Sequence, residues 1–194
     1  MVSNQAQLLL PLKKHIEEAT FPMTNEEFEP ILGHFDVIRR KKHQFVVQEH
    51  DQVRNEFWVL KGCLKAYFVD GSGKEHIIQF AQEEWWITDY EAFLKQSQAS
   101  IFIECIEDCE LLTISLENRE KLCQEQHRMA LFWANKTKFG FLALQKRILS
   151  LLKNNAKERY EEFLRLYPSL LQRVPKKMIA SFLGVSRETL SRLE

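Results

Sequence analysis

Charged side chains near the carboxyl end of the chain have the types and spacing needed to contact DNA bases. Arg187, Glu188, Ser191 and Arg192 lie within one short segment. An arginine donates two parallel hydrogen bonds to O6 and N7 of guanine, and a glutamate accepts a hydrogen bond from the amino group of cytosine. A helix that carries all four side chains on its outward face can enter the major groove. The sequence therefore predicts that these four residues contact bases of double-stranded DNA.

The apolar residues around this segment indicate a helix-turn-helix that would present it. Two short crossing helices with Gly184 at the corner would share a small core, formed by Ile179, Leu183, Val185, Leu190 and Leu193. Pro175 suits the first turn of the first helix, and Ser186 can cap the second by accepting a hydrogen bond from the backbone of its first turn. Two amphipathic helices around a glycine also occur in α-helical domains that do not bind nucleic acid, which is the alternative interpretation.

The charge distribution favours the nucleic-acid interpretation. Residues 146–194 contain eleven basic and five acidic residues, whereas the whole chain contains 27 of each. A basic carboxyl end on a neutral protein is where phosphates would bind. Phosphate contacts are expected from five residues of this region, Arg173, Lys176, Lys177, Ser186 and Thr189.

Hydropathy and cysteine spacing predict where in the cell the protein is located and that its thiols are reduced. No stretch approaches the ~20 apolar residues of a membrane span, and the amino terminus lacks a signal-peptide pattern, so a cytoplasmic protein without membrane contact is expected. The four cysteines, Cys63, Cys105, Cys109 and Cys123, form no CxxC pair. Buried reduced thiols are therefore the default, and a redox or metal role for Cys105 and Cys109 is the alternative.

The histidines argue against enzymatic activity. A cupin-like barrel enzyme would need His and carboxylate ligands on neighbouring strands, but His43, His50 and His76 show no HxH spacing. We therefore predict that the protein is not an enzyme and has no catalytic residue, metal site or cofactor.

The order of the predicted elements indicates three parts in an α+β chain. Residues 1–125 are expected to form an antiparallel β-roll with flanking helices, because short apolar runs broken by turns extend through most of this part. Residues 126–154 have the periodicity of one long helix. Residues 155–194 are expected to form a helical DNA-binding domain that ends in the helix-turn-helix.

Local signals within the first part are specific enough to set several boundaries. A capping box at residues 24–27 predicts the start of a short helix. A second short helix, residues 89–96, is expected to interrupt the strands. Tight turns are predicted at residues 61–62 and 70–73, where glycines tolerate a positive φ angle. The predicted strands are residues 44–48, 56–60, 64–69, 76–80, 101–106 and 110–114.

Two apolar faces on the long helix predict contacts with two different partners. The first face approximates a heptad pattern and consists of Phe132, Asn135, Phe139, Leu142 and Leu149. The second face consists of Phe141, Leu144, Ile148 and Leu151. One face can pack on the roll while the other binds a second subunit, and we expect a homodimer through the first face. The alternative is a helix that is buried entirely in its own core.

In this order of elements the chain resembles the Crp/Fnr superfamily of bacterial transcription regulators. The most specific similarities are RILSLL at 147–152, ERYEEFL at 158–164, RVP at 173–175 and MIASFLG at 178–184, which look like the branch common in Bacteroidetes. The resemblance implies a cyclic-nucleotide-binding-like roll, which is a double-stranded β-helix, then a dimerisation helix and a winged-helix-like domain. It implies a homodimer that regulates transcription by binding DNA, with RNA polymerase and an unidentified small effector as candidate partners.

At the place where cyclic-nucleotide-binding members of that family hold their ligand, this chain lacks most of the required side chains. Gly, Glu, Arg and Ser of the family's phosphate cassette correspond here to Thr88, Asp89, Ala99 and Ser100. Without a guanidinium at position 99 a buried phosphate would have no counter-ion, so cyclic AMP is not expected to bind. Large rings at this degenerate pocket, among them Trp86 and Phe93, either close it or line an apolar cavity for another effector. A sensor or adaptor that binds such an effector and acts through protein contacts without DNA is the alternative function.

Overall fold

Two amino-terminal helices precede the strands in the computed structural model, which describes residues 9–193. Helix α1 comprises Leu10–Ala19 and α2 comprises Asn25–Leu32. Thr24 accepts a hydrogen bond from the N–H of Glu27, and the Glu27 carboxylate accepts one from the N–H of Thr24, so the predicted capping box is present. Residues 1–8 of the predicted amino-terminal helical region lie outside the described residues.

Within the described residues, eight strands form two four-stranded antiparallel sheets of a β-roll. The order of the first sheet is β1-β8-β3-β6, and the order of the second is β2-β7-β4-β5. The strands are β1 Asp36–Arg40, β2 Phe45–Val47, β3 Asn55–Lys61, β4 Leu64–Val69, β5 Glu75–Ala81, β6 Trp86–Ile87, β7 Phe102–Cys105 and β8 Cys109–Ser115. The predicted α+β fold with an antiparallel roll is confirmed.

Strands β1 and β6 are absent from the prediction because neither has a strand-like pattern in the sequence. β1 carries charged residues at three of its five positions and none of its residues is fully buried. β6 has only two residues, Trp86 and Ile87, which pair with Trp58 and Phe57 of β3. Alternation of apolar and polar residues over at least four positions is the usual signal of a strand, and both strands lack it.

Among the helices after β6, the short helix predicted at 89–96 and the long helix predicted at 126–154 begin and end within one residue of those bounds. The helices after β6 are α3 Tyr90–Lys95, α4 Leu116–Glu125, α5 His127–Lys153, α6 Ala156–Leu166, α7 Leu170–Arg173, α8 Lys176–Leu183 and α9 Arg187–Ser191. Helix α3 interrupts the strands between β6 and β7, as predicted. The long helix α5 starts beside the roll and leads to the carboxyl-terminal helices.

The hairpin between β3 and β4 depends on Gly62. Its φ angle is +108°, which lies in the left-handed region that side chains disfavour. A Cβ atom at this position would lie 2.6 Å from Cys109 Sγ and 2.8 Å from the carbonyl oxygen of Asp108. Backbone conformation and space therefore both exclude a side chain at the predicted turn.

Aromatic rings fix the first turns of α5 to the roll. Phe132 is fully buried, and its ring centroid lies 6.2 Å from that of Trp86. Trp133 lies 6.3 Å from Trp86, and Trp58 of β3 lies 6.4 Å from Trp86. Rings of this size bury large apolar areas and prefer tilted or edge-on contacts such as these. The cluster sets the direction in which α5 leaves the roll.

A buried carboxylate joins the same helix to the roll. Glu56 of β3 is 1% exposed. Its Oε1 accepts a hydrogen bond of 2.9 Å from Trp133 Nε1 and lies 3.3 Å from Arg119 Nη1. Burial raises the pKa of Glu56 to about 7, although the Arg119 charge and the Trp133 hydrogen bond act in the opposite direction. The folded protein therefore retains a proton on Glu56 at pH values where an exposed glutamate is ionised.

This carboxylate predicts a pH dependence of stability. Because the pKa of Glu56 is raised from 4.5 to about 7, the unfolded chain releases a proton that the folded chain keeps. The free energy of unfolding should therefore fall as pH rises between these values, by up to about 3 kcal/mol from this group. Urea denaturation across this pH range measures the change. Glu56→Gln should lack this component, while Glu49→Gln at an exposed position should keep it; equal pH slopes in all three proteins would contradict the assignment.

Candidate nucleic-acid interface

Helices α8 and α9 form the predicted helix-turn-helix. α8 is followed by Gly184, whose φ angle is +67° and whose N–H donates to the carbonyls of Ala180 and Ser181. Ser186 Oγ caps α9 by accepting a hydrogen bond of 3.1 Å from the N–H of Thr189. The shared core contains the buried Ile179, Leu183 and Leu190, with Val185 and Leu193 partly buried beside them.

The four side chains predicted to contact bases lie on the outer surface of α9 and at its end. Arg187, Glu188, Ser191 and Arg192 are all exposed. Neither arginine forms an ion pair with another residue of the described range 9–193. Hydrogen bonds from its own backbone N–H and from the Ser186 side chain lower the pKa of Glu188. The site therefore offers two guanidinium donors and one ionised acceptor to solvent.

The predicted phosphate-contacting residues lie at the amino-terminal ends of α8 and α9. Lys176 and Lys177 occupy the first turn of α8 and are exposed. Pro175 is the N-cap residue of this helix rather than part of its first turn. Ser186 and Thr189 lie at the start of α9 with their hydroxyl oxygens 3.2 Å apart. The free N–H groups of a helix start favour nearby anions, which suits phosphate contacts.

Arg173 differs from the prediction because it binds two carboxylates of the roll. Its Nη1 and Nη2 donate to Glu83 at 2.7 and 3.0 Å, and its Nε and Nη2 donate to Glu107 at 2.8 and 2.9 Å. These two partners raise the pKa of Arg173 further above its usual range. A guanidinium with both edges bound in this way has no free edge for a phosphate, so the expected phosphate contact of Arg173 is corrected to an intramolecular one.

Helix α8 lies directly on the second sheet of the roll. Ser181 Oγ accepts a hydrogen bond of 3.1 Å from the N–H of Ile77 and donates one of 2.8 Å to the carbonyl of Glu75. The Phe182 ring lies 5.2 Å from the Phe80 ring. About a hundred residues separate these partners in the chain, so no local sequence pattern could indicate the contact. The roll and the helix-turn-helix are joined by polar and apolar contacts.

The carboxylate of Asp89, a residue of the degenerate pocket, is bound by its own loop. Oδ1 accepts from the N–H of Ala92 at 3.1 Å, and Oδ2 accepts from the N–H and hydroxyl of Ser100 at 2.9 and 3.1 Å. Thr88 is also buried and donates its hydroxyl to the carbonyl of Asn55 at 2.9 Å. The three polar residues of the degenerate pocket, Thr88, Asp89 and Ser100, are thus engaged in hydrogen bonds within the chain.

Apolar side chains fill the neighbouring part of the roll interior. Phe93 and Ala99 are buried in the core between the two sheets. The guanidinium carbon of Arg119 lies 5.8 Å from the centroid of the Phe93 ring. Trp86 belongs instead to the aromatic cluster that holds α5. Of the two predicted alternatives, the burial of Phe93 and Ala99 favours closure by side chains over an apolar cavity.

The faces of α5 differ from their predicted roles. Phe132 lies in the aromatic cluster, and Asn135 Nδ2 donates a hydrogen bond of 2.8 Å to the carbonyl of Ala19. Both residues therefore contact their own chain and are removed from the predicted dimer surface. Phe139 and Leu142 are exposed but line a cavity that faces α6 and α8, whereas Leu149 is exposed outside that lining.

A different group of exposed apolar residues lies on the opposite side of α5. It consists of Phe141, Leu144, Ile148 and Leu152, which we call the α5 stripe. Their spacing of three, four and four residues keeps them on one side of a helix. Leu152 is 78% exposed and Phe141 is 66% exposed. Apolar side chains exposed to this extent in a row mark a contact surface.

The structure shows no disulfide between cysteines of the described residues. All four have free thiols, and Cys63, Cys105 and Cys109 are buried whereas Cys123 is half-buried. Within residues 9–193 there is no group of three or more His, Cys, Asp or Glu side chains arranged to hold a metal ion. None of the helices in this part of the chain is long and apolar enough to cross a bilayer.

Comparison with known proteins finds a domain that is similar to the central part of the chain. Residues 37–126 match the cyclic nucleotide-binding domain. The roll has the cyclic nucleotide-binding fold. The matched residues run from β1 to the end of α4 and so include strands of both sheets.

The similarity to other known proteins extends beyond this domain into the carboxyl-terminal helices. The cAMP-activated global transcriptional regulator CRP of Salmonella typhimurium is 21% identical over 185 residues, covering 89% of this chain and 87% of that protein. The structure of FixK2 from Bradyrhizobium japonicum has a TM-score of 0.68 at 19% identity and covers 82% of both chains. The c-di-GMP responsive global regulator CLP of Xanthomonas campestris has a TM-score of 0.69 at 18% identity, covering 88% of this chain and 89% of that one. The described fold is therefore shared with transcription regulators.

The closed pocket predicts a structural role for Asp89. Asp89→Ala would remove the cap of α3 and leave the N–H of Ser100 without its acceptor, so the free energy of unfolding should fall by about 2–3 kcal/mol. Urea denaturation measures the loss. Glu91→Ala is the matched control, because its exposed ion pair with Lys95 should contribute less than about 0.5 kcal/mol. Equal stability of the two variants would show that Asp89 does not hold this loop.

Proposed function

We propose that the protein is a sequence-specific DNA-binding transcription regulator of the Crp/Fnr type that acts as a homodimer in the cytoplasm. The observation that supports it most is α9, a capped helix that presents Arg187, Glu188 and Arg192 to solvent without ion pairs among the described residues. Similarity to CRP over most of both chains supports the same function. The motifs between residues 147 and 184 support a place in the branch common in Bacteroidetes.

In this proposal the base contacts and phosphate contacts have separate roles. Two α9 helices of a symmetric dimer would enter successive major grooves about 34 Å apart. Side chains of α9 would select the sequence, through Arg187, Glu188, Ser191 and Arg192. Phosphate contacts would supply affinity and salt dependence, through Lys176, Lys177, Ser186 and Thr189.

The homodimer is proposed to form through the α5 stripe. Anchoring of the first turns of α5 on the roll directs Phe139 and Leu142 towards the chain's own carboxyl-terminal helices, which leaves the stripe for a partner. Two such stripes can pair in the manner of a coiled coil. The functional parts would then be the roll up to residue 125, the dimerisation helix at 126–154 and the DNA-binding domain at 155–194.

We further propose that DNA binding does not respond to cyclic AMP. Ala99 supplies no guanidinium for a phosphate, and both oxygens of Asp89 are already bound by backbone and hydroxyl donors. Burying an anionic phosphate without a counter-ion would be strongly unfavourable. RNA polymerase is the partner expected of a regulator that acts from a promoter.

A second candidate function is a sensor or adaptor that binds an unidentified small effector and acts through protein contacts without DNA. The match of residues 37–126 to the cyclic nucleotide-binding domain favours it, because that domain is named for binding a small effector. Gel-shift measurements over a range of salt concentrations separate the two functions. A regulator should show an affinity that falls steeply with salt, whereas an adaptor should bind no duplex.

Replacing the first arginine of α9 tests base recognition. Arg187→Ala should weaken binding to the selected duplex by about 1–3 kcal/mol and relax the preference at one base pair, because one bidentate contact to guanine is lost. Duplexes selected from a random pool and titrated by fluorescence anisotropy give both quantities. Lys177→Ala is the control, since it should weaken selected and scrambled duplexes equally. An unchanged ratio of selected to scrambled binding in Arg187→Ala would refute the role of this helix.

Charge placed in the α5 stripe tests the dimer. Ile148→Glu should convert the dimer to a monomer, because an ionised carboxylate would be buried at the interface without a partner. Light scattering after size-exclusion chromatography gives the mass. Lys153→Glu, on the same helix but away from the stripe, should leave the dimer intact. A wild-type protein that is already monomeric at micromolar concentration would contradict the proposal.

Cyclic AMP should leave the protein unchanged. Calorimetric titration to about 1 mM nucleotide should give no saturable heat, since an interaction weaker than this corresponds to less than about 4 kcal/mol of binding free energy. The affinity for the selected duplex should be the same with and without the nucleotide. Saturable binding of cyclic AMP would show that the degenerate pocket can open.

A further inference from the structure

A cavity of about 390 Å³ lies between α5, α6 and α8, outside the roll interior. Apolar side chains form most of its wall, namely Phe139, Leu142, Leu151, Phe163, Leu166 and Tyr167. Small-molecule sites in proteins commonly have volumes of about 300–1,000 Å³ with largely apolar walls. Neither the predicted effector pocket nor the proposed DNA contacts use this cavity.

The charged residues of the wall are mostly cationic. Lys146, Arg147 and Arg159 line the cavity, and Glu162 is the one carboxylate among the lining residues. The Glu162 carboxylate already accepts a hydrogen bond from the hydroxyl of Ser150. Among residues 9–193, Arg159 donates to two backbone carbonyls and to no carboxylate. The wall therefore carries more positive charge than its own acid can balance.

Arg147 is one of the partly buried cations of this wall. It is half-buried and forms no ion pair with any residue in the range 9–193. Its guanidinium carbon lies 3.6 Å from the centroid of the Phe182 ring, and its Nη2 donates to the carbonyls of Phe182 and Ile77 at 2.8 and 3.3 Å. Burial without a counter-ion lowers the pKa of Arg147 to about 10. These hydrogen bonds use one of the three nitrogens of the guanidinium group.

We propose that this cavity is a binding site for an amphipathic organic carboxylate, a molecule with one carboxylate and an apolar body. Arg147 and Lys146 would bind the carboxylate, since a guanidinium edge matches the two oxygens of this group. The rings and Leu side chains of the wall would cover the apolar body and remove it from water, which favours binding. The α5 stripe lies on the other side of the helix, so a second copy of the chain is not needed to complete the site.

The location of the site links its occupancy to the helix-turn-helix. Phe182 and Leu183 of α8 form part of the wall, and Arg147 of α5 bonds to the Phe182 carbonyl. A ligand held between α5 and α8 would favour one position of α8 relative to the dimerisation helix. The consequence for DNA affinity rests on the proposed function, whereas the existence of the site does not.

Calorimetry with the full chain tests the site, using decanoate as the probe and decan-1-ol as its uncharged counterpart below their aggregation concentrations. Decanoate should bind at least tenfold more tightly than decan-1-ol, because the alcohol offers no charge to the cationic wall. Similar affinities for both probes would overturn the proposal, since they would indicate apolar binding alone.

Two variants locate the binding. Arg147→Gln should weaken decanoate binding roughly tenfold or more. Because Arg147 also bonds to backbone carbonyls, Leu142→Trp provides a second variant, which fills the cavity from an exposed wall position and should abolish binding. Leu149→Trp, at an exposed position outside both the cavity lining and the α5 stripe, is the matched control and should bind decanoate like the wild type. Loss of binding in Leu149→Trp, or wild-type binding in Leu142→Trp, would place decanoate elsewhere and overturn the assignment.

A DNA titration separates this proposal from the proposed function. With Arg187→Ala, decanoate should bind with wild-type affinity although base selection is relaxed. With the wild type, saturating decanoate should change the affinity for the selected duplex at least threefold, and the Leu142→Trp variant should show no such change. Decanoate binding without any change in duplex affinity would overturn the link to α8, and absent decanoate binding with intact duplex selection would overturn the site alone.

Discussion

The direction of α5 depends on the way its first turns are bound to the roll. Phe132 and Trp133 bury their rings against Trp86, and full burial of a side chain of this kind contributes roughly 1.5–3 kcal/mol. Glu56 also restricts the orientation of α5, because its buried carboxyl group accepts a hydrogen bond from the indole N–H of Trp133. A helix that must satisfy both conditions cannot rotate about its axis without exposing rings and leaving an acceptor unpaired.

This constraint determines the role of each face further along the helix. At 1.5 Å per residue, the 27 residues of α5 extend over about 40 Å, so most of the helix lies beyond its anchored first turns. Once the first turns are fixed, one side of the remaining helix faces α6 and α8 and the other carries Phe141, Leu144, Ile148 and Leu152. The cavity and the α5 stripe are therefore two results of the same anchoring, and a rotation of α5 would alter both.

Local signals in the sequence were sufficient to predict most helices and turns. They could not predict contacts between residues that are far apart in the chain. The Thr24 capping box, the Asp89 cap of α3 and the Gly184 turn involve residues at most a few positions apart, so neighbouring side chains determine them. Arg173 lies in a basic segment and resembles a phosphate ligand, because counting charges along the chain cannot show that Glu83 and Glu107 fold against it.

The apolar residues of the long helix α5 also show that a local pattern cannot predict which distant residues come into contact. A heptad-like pattern identifies two faces but not which of them meets the roll, and the prediction that Phe132 and Asn135 face a second subunit failed for this reason. The exposed position of the α9 side chains did follow from the spacing, since the apolar residues of two crossing helices leave one outward face. Their role in base selection stays a prediction.

The contact between Ser181 and strand β5 also bears on solubility. β5 is the outer strand of the second sheet, and the hydroxyl of Ser181 binds the N–H of Ile77 and the carbonyl of Glu75 on its open side. An uncovered strand of this kind offers its backbone groups to strands of other molecules. Any state in which α8 leaves the sheet would therefore expose the unpaired backbone groups of β5 to strands of other molecules. Movement of the helix-turn-helix away from the roll would for this reason carry a risk of self-association.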